Sequence, residues 1–529
     1  MQRNNFSTGE QKGKKSSFSV PLKNYSFRIF SLSSFSLLLH YPLELRLLLF
    51  ACISCIHFTS GQRVETYNNP VIRGDLADPT IIRIGNTYYA TGTSSEWAPY
   101  YPMFKSNDLI NWKQTGHIFN KQPEWTLSSF WAPELFYHNN KVYVYYTARD
   151  KNGVSYIGVA TSDNPEKEFT DHGLLVKFGK EAIDAFVMED NGDLYITWKA
   201  YGLDKRPIEL LCNKMSKDGL RLEGEPFTLL RDDDHTLMEG QYWFKKGDYY
   251  YLMYATNNCC GPKSDYQVYV ARSKTLKGPY EKYEGNPILT GSNDILSCGH
   301  GTVTTTPDGR MFYLCHAYLN GAGFFTGRQP ILLELTIDKD QWLRFKSGDI
   351  AQLQQPVPFP GTKQKIINEF RDNFKSKKLK NDWCWNYLYS DIDTKTGNGY
   401  LLLSGTQKNN SQNGTALCVR SVKPNYSFET QVTNSNKSLK GLTFYGDDKN
   451  LVILGYQNNE LILKEVKDGK ENIIRKMNLP TNKPYLKIKI TEGCNCSFFW
   501  SKNQKDWHII NTDKNGYNQL DRWDRVARP

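Results

Sequence analysis

A chain of 529 residues exceeds what one ordinary hydrophobic core supports, so its length predicts two or three domains and excludes a single small binding module. Hydrophobic residues make up 39% and charged residues 23% of the chain, a balance that excludes a disordered protein. The net charge of +11 comes in large part from residues 1–62, where seven Lys and Arg face two Asp and Glu, and since the remainder has no basic run, a nucleic-acid-binding face is not expected.

The first 62 residues are predicted to be a signal-peptide region. An apolar run at residues 47–58 follows Arg46 and precedes the small and polar residues 59–62 (TSGQ), which is the pattern of a secretory signal. The run is too short to span a bilayer, so no transmembrane span is expected. We expect a mature chain that starts near Gln62 and is secreted or periplasmic. Residues 49–52 (LFAC) resemble a lipoprotein cleavage box, so a lipid anchor at the cell surface is the alternative.

Five segments between residues 63 and 353 repeat one pattern: an apolar strand, a short polar turn, and a second strand with paired aromatic residues. They start at positions 78, 132, 184, 239 and 300, which are 52 to 61 residues apart. An aromatic residue falls eleven positions after the start in the first four and twelve positions after it in the fifth. Aromatic and β-branched residues favour strands, and this period suits a four-stranded blade. The pattern predicts an all-β fold with a five-bladed β-propeller over residues 63–353.

The repeat also predicts which residues meet at the centre of the propeller. The first strand of every blade lines the central channel, so equivalent positions converge on the axis. These positions are occupied by Asp78, Ala132, Asp184, Glu239 and His300. Three carboxylates and a histidine are therefore expected to share one funnel, although they span more than 220 positions of the sequence.

A second domain is expected after the propeller. Residues 354–366, which begin with the proline-rich run QQPVPFPGTK, are predicted to be a linker. Residues 367–529 contain alternating strands, for example at 441–445, 451–456 and 485–490, which predict a β-sandwich accessory domain. A truncated sandwich that lacks a closing strand is one expectation, because the chain ends at Pro529.

The cysteines indicate neither a zinc site nor a disulfide framework. Nine of the eleven Cys lie in the expected mature chain and are too scattered for a framework. The pairs Cys259–Cys260 and Cys494–Cys496 lack the spacing of zinc ligands, so buried thiols are expected there. The run at residues 232–235 (DDDH) has no bidentate spacing either, and a solvated loop is expected.

A funnel with several carboxylates and aromatic walls suits glycoside hydrolysis. One carboxylic acid protonates the leaving oxygen, one carboxylate drives the attack, and aromatic rings stack on the sugar. A third carboxylate can orient a partner and raise the pKa of the acid by its negative charge. Trp131, directly before the ring position of blade two, and Trp97, between blades, are the candidate sugar-stacking residues, and each could instead belong to the core.

The motifs at these positions resemble glycoside hydrolase family 43, and the resemblance extends over residues 66–529. The motifs are NP at 69–70, ADP at 77–79, WAPE at 131–134, AIDA at 182–185, MEG at 238–240 and GHG at 299–301. The resemblance implies a five-bladed propeller with exo-activity on arabinose- and xylose-containing plant polysaccharides by an inverting mechanism. It implies that Asp78 is the general base, that Asp184 orients the acid and modulates its pKa, and that Glu239 is the general acid.

Two further residues gain an expected role from the same resemblance. Arg328, just before the strand at 331–335, matches an arginine that faces the site, where a guanidinium can hold sugar hydroxyls or a carboxylate. The alternative for Arg328 is a surface salt bridge. His300 is expected either to help hold a hydrated structural Ca²⁺ near the propeller axis or merely to fill the channel. No cofactor is required for the expected reaction.

The expected partner is a plant polysaccharide or oligosaccharide, from which terminal α-L-arabinofuranosyl residues are removed. Arabinofuranose and xylopyranose present similar hydroxyls to one site, so β-xylosidase activity on xylo-oligosaccharides is the alternative. A non-catalytic carbohydrate-binding propeller would keep the aromatic residues but has no need for three carboxylates in register. A protein-interaction scaffold would show WD or kelch signatures, and the sequence contains none.

Overall fold

The computed structural model describes residues 64–200, 208–231, 237–321, 325–433, 436–515 and 528. The chain divides into two units, Met1–Val64 and Glu65–Pro529, and the second contains every element reported below. The predicted signal-peptide region and the acidic run at 232–235 lie outside the described residues. Every regular element within the described residues is a β-strand, which confirms the all-β prediction. No helix in this part of the chain could cross a bilayer.

Five four-stranded antiparallel sheets form the blades of the predicted propeller. Blades one to five contain, in chain order, Thr80–Ile84, Thr87–Thr91, Tyr100–Ser106 and Lys113–Phe119; Thr126–His138, Lys141–Asp150, Ser155–Ser162 and Thr170–Val176; Ala182–Asp190, Asp193–Ala200, Glu209–Met215 and Leu222–Arg231; Met238–Lys246, Tyr249–Thr256, Gln267–Ser273 and Glu281–Lys282; Ile295–Thr305, Met311–Leu319, Gln329–Ile337 and Leu343–Phe345. The first strand of each blade contacts the first strand of the next, and that of blade five contacts that of blade one, which closes the ring.

Packing between blades explains why the second strands are apolar on both faces. In Lys141–Asp150, Val144 and Tyr146 pack in a buried cluster with blade one, whereas Tyr143 and Tyr145 pack in a cluster with blade three. Side chains alternate between the two faces of a strand, so neither face of this strand meets water. This packing is the physical reason for the paired aromatic residues that repeat along the sequence.

The inner strands share one backbone feature at the predicted ring position. Each blade has one residue with a positive φ angle at this position. In blade one it lies just before the inner strand, and in blades two to five it lies at a break in strand pairing. These residues are Asp78 (φ 51°), Ala132 (φ 24°), Asp184 (φ 58°), Gly240 (φ 61°) and His300 (φ 43°). The structure therefore confirms the predicted ring position in four blades. In blade four the prediction is wrong, because Gly240 occupies the ring position and Glu239 precedes it.

Three consecutive tyrosines at residues 249–251 account for this one-residue error. In blade three, Tyr195 pairs with the residue four positions after the ring residue. The corresponding pair in blade four is Tyr251 with Phe244, whereas eleven positions after Glu239 is Tyr250. Both registers therefore satisfy the aromatic repeat. Because a shift of one residue changes the face to which a strand side chain points, Glu239 leaves the inner strand in a different direction from Asp184.

Hydrogen bonds from blade to blade fix the ring residues. At most junctions a side chain of one blade accepts the amide proton of the next ring residue. The pairs are Ala132 N to Thr93 Oγ1 (2.8 Å), Asp184 N to Thr147 Oγ1 (3.1 Å), Gly240 N to Asp184 Oδ2 (3.2 Å) and Asp78 N to His316 Nδ1 (3.1 Å). The strained backbone of the ring is thus held by specific contacts between neighbouring blades.

The segments before and after the blades pair with each other. Thr66–Asn68 forms a two-stranded sheet with Gln354–Pro356, so part of the predicted linker is a strand. Tyr67 donates a hydrogen bond of 2.7 Å to the carbonyl oxygen of Leu332 and ties this sheet to blade five.

Two further four-stranded sheets form the predicted C-terminal β-sandwich. One sheet contains Tyr426–Gln431, Tyr485–Thr491, Asn495–Ser501 and His508–Asn515, the other contains Lys440–Asp447, Asn450–Gln457, Glu460–Lys467 and Lys470–Asn478, and a hairpin of Ser390–Gly397 and Tyr400–Gln407 precedes both. Apolar residues of the two sheets, among them Phe444, Leu463 and Phe498, share one buried core. The short strands Trp97–Ala98 and Trp385–Asn386 pair, and so join the second domain to the propeller.

Candidate active site

Asp78 has partners at both of its carboxylate oxygens. Its Oδ2 accepts a hydrogen bond of 2.6 Å from Thr93, and its Oδ1 lies 3.2 Å from Nη1 of Arg328 and 3.4 Å from Nδ1 of His300. Burial by itself raises the pKa of this carboxyl, but the neighbouring Arg328, His300 and His316 outweigh burial, and the pKa lies well below its usual range. Asp78 is therefore ionised, as a general base must be.

Asp184 is buried beside Asp78 and has the opposite electrostatic balance. Its Oδ2 accepts the amide proton of Gly240 and lies 3.7 Å from Nδ1 of His300. Burial is the largest influence and raises the pKa of Asp184 to about 7, with the Glu239 carboxylate acting in the same direction and His300 in the opposite one. Asp184 therefore keeps a proton up to about neutral pH.

Glu239 is held by a buried ion pair that the sequence analysis did not predict. Its Oε2 lies 2.8 Å from Nζ of Lys199, whose side chain is 5% exposed, and its Oε1 accepts a hydrogen bond of 3.0 Å from Tyr266. Burial raises the pKa of Glu239, but Lys199 more than offsets burial and the pKa is lowered. The lowered pKa of Glu239 and the raised pKa of Asp184 favour the proton of this pair on Asp184 and not on the expected proton donor.

His300 lies between the carboxylates and is packed against Gly240. A Cβ atom at Gly240 would lie 2.6 Å from Cγ of His300, so only glycine leaves room for the imidazole. Within the described residues, no three His, Cys, Asp or Glu side chains are grouped to hold a metal ion. His300 Nδ1 faces Asp78 and Asp184, so this donor set suits a hydrated cation held through water rather than a fully protein-ligated one.

Arg328 reaches Asp78 from a loop whose backbone is also fixed. The Arg328 amide donates a hydrogen bond of 3.1 Å to Oδ1 of Asp75, and a Cβ at Gly327 would lie 2.3 Å from that same oxygen. The Arg328 side chain is only 10% exposed, so the alternative of a surface salt bridge is wrong. The structure brings Arg328 to the catalytic carboxylates, as expected.

A disulfide joins the adjacent residues Cys259 and Cys260 next to Arg328. Both residues are half-buried, and Sγ of Cys260 lies 3.5 Å from Nη1 of Arg328. The expectation of buried thiols is therefore wrong for this pair, because their sulfur atoms are bonded to each other. At the second pair no disulfide forms, and Cys496 is buried and Cys494 half-buried.

The two tryptophans expected to stack on sugar differ in their surroundings. Trp131 directly precedes Ala132 and is half-buried, with the guanidinium of Arg149 5.0 Å from its ring centre. Trp97 is 3% exposed and its ring is covered by Arg528, whose guanidinium lies 4.1 Å from the ring centre. The cavity beside Trp97 has a volume of about 20 Å³, enough for one water and too small for a sugar. Trp97 therefore packs against the second domain, and the sugar-stacking expectation is not supported for it.

Lys199 and His316 are the main residues that the sequence analysis missed. Both lie on second strands directly opposite the bulge of the inner strand, where Lys199 pairs with Ile183 and His316 pairs with Gly299. Thr147 occupies the same place in blade two. In each of these blades, position 15 or 16 after the ring residue carries a side chain that contacts a ring residue or Glu239, so extending the repeat count to the second strand would have found them.

Comparison with known proteins gives two domain matches. Residues 67–343 match the model of Glycosyl hydrolases family 43, and residues 371–523 match the Beta xylosidase C-terminal Concanavalin A-like domain.

The proteins similar to this chain include enzymes named as an arabinofuranosidase and as a xylosidase. The non-reducing end alpha-L-arabinofuranosidase BoGH43B of Bacteroides ovatus is 28% identical over 467 residues, which cover 81% of this chain and 84% of that protein. The beta-xylosidase of Bacillus subtilis is 24% identical over 498 residues, which cover 84% of this chain and 90% of that protein. The solved structure of Bacteroides ovatus Xyloglucan PUL GH43B has the same fold, with a TM-score of 0.74, 23% identity and coverage of 88% of this chain and 95% of that one.

Proposed function

The chain belongs to glycosyl hydrolase family 43 and is a glycosidase that hydrolyses O-glycosyl bonds. We propose that it removes terminal α-L-arabinofuranosyl residues from plant cell-wall polysaccharides or oligosaccharides. The observation that carries the proposal is the buried group of three carboxylates in opposite charge states around His300. Hydrolysis of a glycoside requires an ionised base and a proton for the leaving oxygen. Here Asp78 is ionised, and the raised pKa of Asp184 keeps one proton in the site. The relation to an arabinofuranosidase over 81% of this chain supports the choice of sugar.

Asp78 is proposed as the general base. Its lowered pKa keeps it ionised, so it can accept a proton from the attacking water. Arg328 and Thr93 hold both carboxylate oxygens in place. A guanidinium carries five N–H donors in a planar fork, a geometry that suits contacts with sugar hydroxyls as well as with a carboxylate.

Glu239 is proposed as the group that protonates the leaving oxygen, in agreement with the family resemblance. Asp184 and Glu239 together keep one proton up to about pH 7, because Asp184 has its pKa raised to about 7 while Lys199 holds Glu239 ionised. For Glu239 to act, this proton must pass to it, and a substrate oxygen placed beside Glu239 favours that transfer because it accepts the proton next. Asp184 thereby supplies and tunes the acid.

Inversion at the anomeric carbon is proposed for the reaction. Asp78 and Glu239 belong to blades one and four, which are not adjacent in the ring, and such a separation leaves room for a water between sugar and base. Proton NMR of the first-formed anomer tests this. A product of retained configuration, or a covalent sugar on Asp78, would falsify inversion.

The substrate assignment is tested with paired nitrophenyl α-L-arabinofuranoside and β-D-xyloside substrates and the purified protein. We expect a higher kcat/KM for the arabinofuranoside, and the Asp78→Asn variant should lose kcat by several orders of magnitude while it remains folded. Preference for the xyloside would establish the alternative, β-xylosidase activity, which the match to a β-xylosidase C-terminal domain favours. Sugar binding without any hydrolysis would indicate a non-catalytic carbohydrate-binding propeller.

Export from the cytosol is also proposed. The Cys259–Cys260 disulfide supports it, since disulfides persist in oxidising compartments and are rare in the cytosol. We expect the exported form to start near Gln62 and to be secreted or periplasmic, with a lipid anchor as the alternative. N-terminal sequencing of the exported protein decides between them, and recovery of an intact Met1 in the cytosol would contradict export.

A structural Ca²⁺ near the propeller axis stays a proposal for His300. Such an ion would be held by the imidazole and by water, and hydrolysis itself is proposed to need no cofactor. Metal analysis of the purified protein before and after treatment with a chelator tests this, together with its melting temperature. One Ca²⁺ lost on chelation in the wild type and absent from a His300→Ala variant is the expected result.

A further inference from the structure

The loop at residues 257–266 joins the second and third strands of blade four and contacts both sides of the catalytic site. At one end Tyr266 donates its hydrogen bond to Glu239. In the middle, Cys260 Sγ lies against Arg328, and the same guanidinium nitrogen contacts Asp78. The loop is therefore positioned between the groups that hold the proposed acid and the proposed base.

Hydrogen bonds within this loop and from it to blade five fix its position. Asp265 Oδ1 accepts the amide proton of Asn258 at 2.8 Å, and the hydroxyls of Ser264 and Ser297 lie 2.8 Å apart. The amide of Gly261, directly after the disulfide, donates a bond of 3.0 Å to the hydroxyl of Tyr318. The disulfide is thus presented by an anchored loop, in a defined place beside Arg328.

The disulfide offers an apolar surface, which the charged groups around it do not. Its two sulfur atoms form no strong hydrogen bond, and the two cysteines are half-buried instead of enclosed in the core. A sugar ring has hydroxyls that need polar partners and a C–H face that needs an apolar one. Arg328 supplies the first kind of partner, and the adjacent disulfide supplies the second. Binding sites generally combine such an apolar wall with a few precisely placed polar groups.

We propose that the Cys259–Cys260 disulfide is a substrate-contacting element of the catalytic site, which packs against the C–H face of the terminal sugar beside Arg328. The inference rests on the proposed glycosidase site and adds a specificity-determining contact to it. Reduction of the bond separates the two sulfur atoms and leaves the wall without a fixed shape. Sugar binding should weaken, whereas the acid and base carboxylates keep their places.

Reduction by dithiothreitol is the direct test. The disulfide takes up two electrons and two protons to give two thiols, and dithiothreitol is oxidised to its cyclic disulfide, so the intact mass rises by about 2 Da. We expect KM for the preferred nitrophenyl glycoside to rise about tenfold, the size of effect that a lost apolar contact has in a binding pocket. The value of kcat and the circular dichroism spectrum should change little.

Two variants serve as controls for the reduction experiment. A Cys259→Ala/Cys260→Ala variant should have the raised KM at the outset and show no further response to dithiothreitol. Lys263→Ala lies in the same loop at an exposed position and should retain both the wild-type KM and its sensitivity to reductant. If the double variant does not fold, the reduced wild-type protein still provides the measurement.

Two results would overturn the inference: two free thiols at these positions in the purified protein, found by alkylation and mass spectrometry, or an unchanged KM in folded, fully reduced protein. Failure of the proposed glycosidase function would give a different result, because the oxidised wild-type protein would then hydrolyse neither nitrophenyl substrate. In that case calorimetric titration with L-arabinose and D-xylose tests the contact on its own, and binding that is equally weak or strong in the oxidised and reduced proteins contradicts it.

Discussion

Replacement of Gly240 by alanine is the sharpest test of the ring geometry. Gly240 has a φ angle of +61°, and an added Cβ would lie 2.6 Å from Cγ, 2.8 Å from Cβ and 3.0 Å from Cα of His300. Two of these atoms belong to the base of the side chain and its backbone, which cannot rotate away. The Gly240→Ala variant must therefore displace His300 or the inner strand that carries it.

The expected loss of stability has two parts. A non-glycine residue in the left-handed region costs about 1–2 kcal/mol. An extra methyl group in a tightly packed site costs a further 1–3 kcal/mol or so. Gly247 is the matched control, because it lies in the same blade with a φ angle of +60° and nothing within 4 Å of its added Cβ. Gly247→Ala should therefore lose only the stability that a non-glycine residue costs in the left-handed region.

Displacement of His300 should reduce the activity of Gly240→Ala, whereas Gly247→Ala, in which His300 is not displaced, should keep wild-type activity. His300 Nδ1 lies 3.4 Å from Asp78 and 3.7 Å from Asp184, so a shift of this ring changes the charge environment of both carboxylates. Misplacement of a site group by about 1 Å can cost roughly 100-fold in rate, and we expect a fall of this order in kcat/KM for Gly240→Ala.

Urea unfolding and initial rates on the preferred nitrophenyl glycoside measure both effects. Gly240→Ala should unfold with a free energy about 1–3 kcal/mol below that of Gly247→Ala, which is the packing contribution alone. Equal stabilities for the two variants, or wild-type turnover by Gly240→Ala, would refute the reasoning that places His300 against this glycine.

Four substitutions test the charge balance and the packing around the site. Lys199→Met should move the alkaline limb of the kcat/KM profile to higher pH, since Lys199 lowers the pKa of both Glu239 and Asp184; an unmoved limb contradicts the ion pair's influence. Glu239→Gln should lose far less rate on a substrate with a nitrophenyl leaving group than on an unactivated oligosaccharide, whereas Asp78→Asn should lose the same factor in rate on both substrates. The reverse pattern would exchange the roles of the two residues. Trp97→Ala should lower the free energy of unfolding by about 3–5 kcal/mol with KM unchanged, and a raised KM in a stable variant would restore the sugar-stacking role.

Much of the fold could be predicted from the sequence because a propeller repeats one local pattern. Every blade must bury both faces of its second strand, and the paired aromatic residues that meet this need recur at nearly constant spacing. The register of that spacing was enough to place Asp78, Asp184 and His300 together at the axis. The sandwich was predicted for a similar reason, since alternating strands with one apolar face need a second sheet to cover them.

The tertiary structure decided the features that depend on contacts between blades and domains. The register of blade four was ambiguous in the sequence because either Tyr250 or Tyr251 could complete the repeat, and only strand pairing selected Tyr251 and thereby Gly240. The environment of Trp97 is decided by Arg528 of the other domain, which no local pattern indicates.

The charge states of the carboxylates were equally beyond the sequence, although the residues themselves were found. A pKa depends on burial and on the nearest charges, and Lys199 and Glu239 become neighbours only when blades three and four pack side by side. In the same way, Cys259 and Cys260 are adjacent in any conformation, but their place beside Arg328 follows from the packing of blade four against blade five. The sequence by itself therefore determined, through periodicity, which carboxylates and which histidine at the inner strands meet near the axis. The folded ring added Lys199 and His316 and determined, through distance and burial, which carboxylate has the raised pKa.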